Sequence, residues 1–285
     1  MITEIYKGKC YSKPRMKTQL KVVAFDLDET LGSFTDLDIL WRGISAFCSA
    51  PPFLPTDLLD LYPEFLRYGI LPILEYVYQK KRENICHKLY IYTNNQCSPT
   101  WTDMIAAYLN KKVNPELTPP LFDQTICAFK IGDKIVELSR TTHEKTYFDF
   151  IQCTVLPKNT EICFLDNTYY PEMKTNSIYY IKPAAYYHSL STEDIIHRFV
   201  HSVLCSYLCP TPAYVGLFCS FIHTEFFRNG GIQPGNSSRE KRKMDILVAQ
   251  KMMYHINEFF YYRKRRHRTH KIRGHVLNRT RKNNL

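Results

Sequence analysis

Three short apolar runs, each stopped by a cluster of acids or amides, constrain this chain more than any other feature. Lys21–Phe25 (KVVAF) runs into Asp26-Leu27-Asp28-Glu29-Thr30, Lys88–Tyr92 (KLYIY) into Thr93-Asn94-Asn95, and Glu161–Leu165 (EICFL) into Asp166-Asn167. Five apolar or β-branched residues bounded by polar stops read as a buried strand. A fourth run follows at residues 177–181. Between the runs, apolar residues recur at helical spacing: Ile70, Ile73, Leu74, Val77 and Tyr78 predict a helix over 70–81, and residues 101–109 and 145–153 predict two more. Strands alternating with helices predict an α/β layer fold with a parallel sheet. In such a sheet the C-terminal strand ends share one edge, so the three polar clusters converge although they lie far apart in sequence.

The chemistry of that convergence is narrow. Asp26 and Asp28 are two residues apart and face the same side if the strand persists. Two carboxylates held together want a cation or a shared proton. Asp166 or Asn167 adds a third oxygen, and an all-oxygen set suits Mg²⁺, which takes few protein ligands and keeps water and phosphate oxygens. A carboxylate that touches both metal and phosphoryl group can attack phosphorus, a second can protonate the leaving oxygen, and Thr93 with a lysine can hold the phosphoryl oxygens.

VVAFDLDETL, IYTNN, a lysine ahead of a helix, and CFLDN together resemble the four ordered motifs of the haloacid-dehalogenase-like (HAD) phosphatases. DLDETL with LDN is most similar to the branch containing the phosphatases of the RNA polymerase II C-terminal domain. EFLRYGILPILEYV before IYTNNQ, and RTTHEKTYFDFI before CFLDN, resemble its relatives in large DNA viruses. The likeness spans residues 20–190. It implies a Rossmann-like parallel sheet sandwiched by helices, a catalytic domain over 21–190, and an aspartyl-phosphate mechanism. Asp26 would be the nucleophile and Asp28 the general acid/base. Thr93 and Asn94 would meet the phosphoryl group, and Mg²⁺ would sit on Asp26, the Asp28 carbonyl, and Asp166 or Asn167. The motif-three cation would be Lys145, 21 residues before Asp166 and opening a helix, in preference to Lys130 or Lys134. A single acid in LDN matches the polymerase-phosphatase branch and departs from members with paired acids. The 62 residues between Thr30 and Thr93 leave little for a large cap, and the resemblance then implies a macromolecular substrate such as a phosphoprotein. A nucleic-acid end phosphatase and a non-catalytic nucleic-acid-binding protein on the same fold are the alternatives.

Charge is distributed unevenly. The net charge of +11 resolves into +4 over residues 1–20, −5 over 21–236 and +12 over 237–285, which excludes a uniformly basic nucleic-acid coat. Residues 1–20 form a basic segment without the apolar run of a secretory leader, residues 191–236 a helical extension, and residues 237–285 a helix with a basic tail. Ten Lys or Arg in 263–285, with no acid, predict salt-dependent contact with a polyanion, and RKRRHR at 263–268 fits a nuclear address. Ser237 and Glu240 form a capping box for the helix ahead of that tail. Ten cysteines without a CxxC pair predict reduced thiols in a cytoplasmic or nuclear compartment. The uncharged stretch 202–222 is interrupted by Pro210 and Pro212, which predicts two buried helices and no membrane span. Prolines 51, 52, 55 and 63 predict irregular chain over 33–66. Oligomeric state has no signature in the sequence.

Overall fold

The computed structural model describes residues 2–12, 19–116, 118–231 and 239–261. In chain order its strands and α-helices are β1 (Thr3–Lys7), β2 (Lys21–Phe25), α1 (Thr35–Phe47), α2 (Pro55–Leu61), α3 (Ile70–Arg82), β3 (Lys88–Tyr92), α4 (Pro99–Val113), β4 (Gln124–Ile126), β5 (Lys130–Ile131), β6 (Lys134–Ile135), α5 (Tyr147–Thr154), β7 (Glu161–Leu165), β8 (Ile178–Pro183), α6 (Thr192–Val200), α7 (Val203–Leu208), α8 (Pro212–Asn229) and α9 (Arg239–Tyr261). Six strands form one sheet in the order β1-β8-β7-β2-β3-β4. The five from β8 to β4 are parallel, and β1 joins β8 antiparallel at the edge. The predicted α/β class with a parallel sheet is therefore present. Thr3–Lys7, assigned from sequence to a basic N-terminal segment, is also an edge strand of the sheet.

Side chains alternate across the sheet as the strand period of two requires. Val23, Phe25, Leu89, Ile91, Cys163, Leu165, Tyr179 and Ile181 enter one apolar cluster. Their neighbours Val22, Ala24, Tyr90, Tyr92, Ile162, Phe164, Ile178 and Tyr180 enter another. The first face is thick. It takes core residues from α1 to α4 and also Ile195, Phe199, Phe218, Ile222, Met252, Ile256 and Phe259 of α6, α8 and α9. The second face is thin: its helical cover is α5, through Phe150 and Cys153. Residues 191–231 and 239–261 therefore complete the core. Each of those large side chains contributes about 1.5–3 kcal/mol when fully buried.

Two local expectations are corrected. Residues 35–47 contain no proline and bury Leu37, Leu40 and Ile44 on one helical face, so 33–66 is not irregular. Pro55 begins α2, where its missing N–H costs nothing. Lys145 does not open a helix: α5 starts at Tyr147, with Thr146 as N-cap accepting from the Asp149 N–H. The uncharged stretch does form two helices, α7 and α8, joined through 209–211. Among the described residues no helix is long and apolar enough to cross a membrane. The Ser237–Glu240 capping box and the basic tail at 263–285, including 263–268, lie outside the described residues.

Candidate active site

Strand register brings the three polar clusters together. Phe25 pairs with Leu165 on one side and Ile91 on the other, so Asp26 and Asp166 leave the sheet at one level and Thr93 one residue further on. Asp26 N–H donates to Leu165 O at 2.8 Å, the last rung before the strands part. The strand does not persist to Asp28, as the same-side reading of the two aspartates required. The chain turns through Glu29, a non-glycine residue in the left-handed region at φ 52°, and returns so that Glu29 N–H donates to Gly32 O. Such a conformation is strained and needs outside support. The buried Arg67 supplies it: Nε donates to Thr30 O at 2.6 Å, and Nη2 to Ala184 O at 2.8 Å and to Glu29 O.

Asp26, Asp28, Thr93, Asn94, Lys145, Asp166 and Asn167 all line one pocket of about 330 Å³, shared with Glu29, Asp38, Trp101 and Tyr170. At its floor Lys145 Nζ donates to Asp26 Oδ1 at 2.5 Å and to Asp166 Oδ2 at 2.6 Å. All three side chains are at least nine-tenths buried. Burial disfavours the ammonium, but Asp166 and Asp26 outweigh it and hold the Lys145 pKa above the ordinary lysine value. The motif-three alternatives stand elsewhere: Lys130 and Lys134 lie in the β5–β6 hairpin.

The remaining carboxylates are poised differently. Asp28 is raised from 3.8 to about 7 by burial and then by the Asp26 charge, against the Asn95 amide that donates to its Oδ2 at 2.7 Å. Asp166 is also raised to about 7, by burial and by Asp26, with Lys145 opposing. Thr93 Oγ1 accepts from Asn95 N–H at 3.0 Å, which leaves its own proton for a ligand in the pocket. The Asn94 side chain turns aside, donating to Tyr170 OH at 3.2 Å.

Asn167 decides how a cation can be held. With its amide turned inward, Nδ2 donates to Asp28 O at 3.0 Å, Asp26 Oδ2 at 3.3 Å and Thr30 Oγ1 at 2.9 Å. With its oxygen inward, Thr30 donates to Oδ1 at 2.9 Å and three oxygens face one another with no proton between them. Cis ligands on octahedral Mg²⁺ are spaced about 3 Å apart, given bonds of about 2.1 Å. The donor set therefore fits Mg²⁺ through Asp26, the Asp28 carbonyl and Asn167. Asp166, the other candidate ligand, is turned to Lys145 and to the Thr168 N–H at 2.8 Å. No group of three or more His, Cys, Asp or Glu able to hold a metal exists among the described residues; the set here draws on one carboxylate, one main-chain carbonyl and one amide.

Sequence reasoning missed Arg67, the bond from Asn95 to Asp28, and the aromatic rim of Trp101 and Tyr170. Asn95 was visible in the TNN stop, but its partner depends on the turn at Glu29. No spacing rule marks Arg67, 37 residues from the carbonyl it holds. Compared with known proteins, the chain matches no family model, no curated protein and no solved structure.

Proposed function

We propose that this protein is a Mg²⁺-dependent phosphatase of the HAD-like kind, acting through an aspartyl-phosphate on a phosphoprotein. One observation carries the reading: a buried lysine bridges the two strand-end aspartates Asp26 and Asp166, beside an oxygen trio spaced for Mg²⁺. Buried ion clusters cost several kcal/mol in desolvation and are poor devices for stability, so their concentration at a sheet edge favours chemistry.

Asp26 accepts from Lys145 at the floor of the pocket that it lines, which suits attack on phosphorus. A new P–O bond to Asp26 forms as the ester P–O bond breaks. Asp28, protonated in part at neutral pH, gives its proton to the departing oxygen. Asp28 then takes a proton from the water that cleaves the aspartyl-phosphate, releasing phosphate and restoring both acids. Lys145 and the Thr93 hydroxyl neutralise the phosphoryl oxygens as charge develops. Bound Mg²⁺, held by Asp26, the Asp28 carbonyl and Asn167, would screen the repulsion between carboxylate and phosphate.

The surroundings favour protein over nucleic acid as substrate. Five carboxylates (Asp26, Asp28, Glu29, Asp38, Asp166) face the pocket against one ammonium, so further phosphates beside the scissile one would be repelled. A second cleft of about 600 Å³ shares Asp38, Gln96, Cys97 and Trp101 with the first and adds Trp41, Met104 and Pro55. That lining suits side chains flanking a phosphorylated residue. The stretch between β2 and β3 packs most of its α1, α2 and α3 residues into the thick-face core and gives the pocket only Thr35 and Asp38 of those helices, an arrangement without a large cap that suits a macromolecule.

The test is hydrolysis of a generic aryl phosphate with Mg²⁺, followed by phosphopeptides and by 3′- and 5′-phosphorylated oligonucleotides. Wild type should turn over the aryl ester and phosphopeptides, and Asp26→Asn should not. Equal rates for wild type and Asp26→Asn would leave a non-catalytic protein on this fold. Preference for oligonucleotide ends, lost when the basic residues 263–285 are removed and α9 is kept, would instead favour the nucleic-acid reading and tail-mediated polymer binding.

A further inference from the structure

Among the described residues Arg140 heads the largest side chains that are buried almost completely, at 2% exposure, and no described carboxylate pairs with it. Its two Nη groups donate to main-chain carbonyls, while Nε has no partner among the described residues. Nη1 donates to Thr93 O at 3.1 Å and to Cys127 O at 2.8 Å; Nη2 donates to His143 O at 3.2 Å and to Glu144 O at 3.1 Å. The plane also lies over the Tyr92 ring, 4.9 Å from its centroid. Those acceptors belong to three separate segments. Thr93 ends β3, Cys127 follows β4, and His143 and Glu144 are the two residues ahead of Lys145.

Burying an arginine without a counter-ion is expensive, and simple packing does not need it. A planar fork of fixed N–H directions does what no other side chain can: it sets several carbonyls at defined mutual positions. The loop over 136–146 has no strand or helix of its own; Asp149 of α5 accepts from the Thr141 N–H and hydroxyl at its middle, and Lys145 lies at its end. We infer that Arg140 is a positioning residue for the phosphoryl site, clamping the Lys145 loop against the Thr93 strand end so that ammonium and hydroxyl address the same oxygens. The catalytic part of this inference rests on the phosphatase reading; the structural part does not.

Two measurements separate the two parts. Lysine labelling by an amine-reactive acetylating reagent, mapped by mass spectrometry on the folded full-length protein, reads the loop without any assay of activity. Lys145 is 1% exposed and should label slowly in wild type. In Arg140→Ala it should label at least about tenfold faster, as local opening becomes cheaper. Aryl-phosphate turnover should fall by about 100-fold in kcat, the scale of an ångström-sized misplacement, with KM changed much less. Millimolar guanidinium ion should slow the labelling and restore part of kcat, while urea at equal concentration should do neither. Arg140→Lys, which keeps the charge and loses the fork, should behave like Arg140→Ala and carries the test if the alanine variant does not fold. Val77→Ala, in the opposite apolar cluster, is the control for general destabilisation and should leave Lys145 protected.

The inference is overturned if Lys145 stays protected in a folded Arg140 variant, if Val77→Ala exposes it equally, or if Arg140→Lys matches wild type. Wild-type turnover in Asp26→Asn would remove the phosphatase reading alone, because the labelling results would still report the clamp.

Discussion

The two faces of the sheet are built on different physics. The thick face carries α1 to α4 and the C-terminal helices, and its interior is mainly apolar: Phe199 stacks on Phe218 with centroids 5.0 Å apart, and Lys7 and Lys21 meet Tyr179 and Phe259 only at its margin. Among the described residues the thin face has one α-helix, and its aromatic residues Tyr92 and Phe164 lie against buried cations. Tyr92 lies under both Arg140 and Lys145, at 4.9 and 5.7 Å, and Phe164 and Tyr170 complete the ring around Lys145. Apolar burial sums over many weak contacts and tolerates substitution at most single places. A buried ammonium between two carboxylates has few contacts and depends on each. Stability thus concentrates on one face and the proposed chemistry on the other.

The sharpest way to break this comparison is a pair of substitutions. Lys145→Met should lower turnover by at least about a thousandfold, the scale of a lost charge stabiliser. Ile256→Ala, on α9 of the thick face, should leave kcat unchanged in steady-state assays. A thick-face variant that abolished turnover while folded would end the division.

Stability should reverse the ranking only at low pH. Ile256→Ala should cost about 3 kcal/mol in urea denaturation at any pH, from the cavity it leaves. Lys145→Met should cost about 3–5 kcal/mol at pH 8, where Asp26 and Asp166 are left charged and buried. That loss should shrink towards pH 5 as Asp166, raised by its burial, takes up its proton. A loss independent of pH would show that the ion cluster does not titrate.

Asp28 sharpens the same point. Its pKa is raised from 3.8 to about 7, so the folded protein holds this proton more tightly than the unfolded chain. Its contribution is most favourable below about pH 4 and declines as pH rises to about 7. Asp28→Asn removes the penalty, and should be about 4 kcal/mol more stable than wild type at pH 8 without metal, converging with it near pH 4. Equal stability at both pH values would contradict the burial of that charge.

The smallest effect concerns the metal. Millimolar Mg²⁺ should raise the thermal midpoint by a few degrees, equivalent to about 1 kcal/mol. The rise should disappear in Asn167→Ala and persist in Ile256→Ala. Survival of the rise in Asn167→Ala would move the cation away from the oxygen trio.

How much of this was legible depended on the range of each signal. Strands β2, β3 and β7 were read to the residue, because a fully buried strand must be apolar throughout and its end must be polar. α1 was missed because nearby prolines outweighed the spacing of Leu37, Leu40 and Ile44. β1 was missed because an edge strand with one half-buried face carries charges, as Glu4 and Lys7 do. In the thick face's last layer α7 and α8 were read as buried helices and α6 and α9 only as helices, since nothing local says against what a helix packs.

The sequence alone determined which residues reach the sheet's edge: Asp26, Asp28, Thr93, Asp166 and Asn167 stand at polar stops, and those stops are fixed by the local alternation of burial. Tertiary structure alone decided what each does there. It turned Asp166 to Lys145 and Asn167 to the Asp28 carbonyl, and it placed Arg67 and Arg140 inside the protein to hold the loops. The physical reason is one of distance along the chain. Burial is written into a few neighbouring residues, whereas the direction of a hydrogen bond depends on carbonyls that only the packed fold brings within 3 Å.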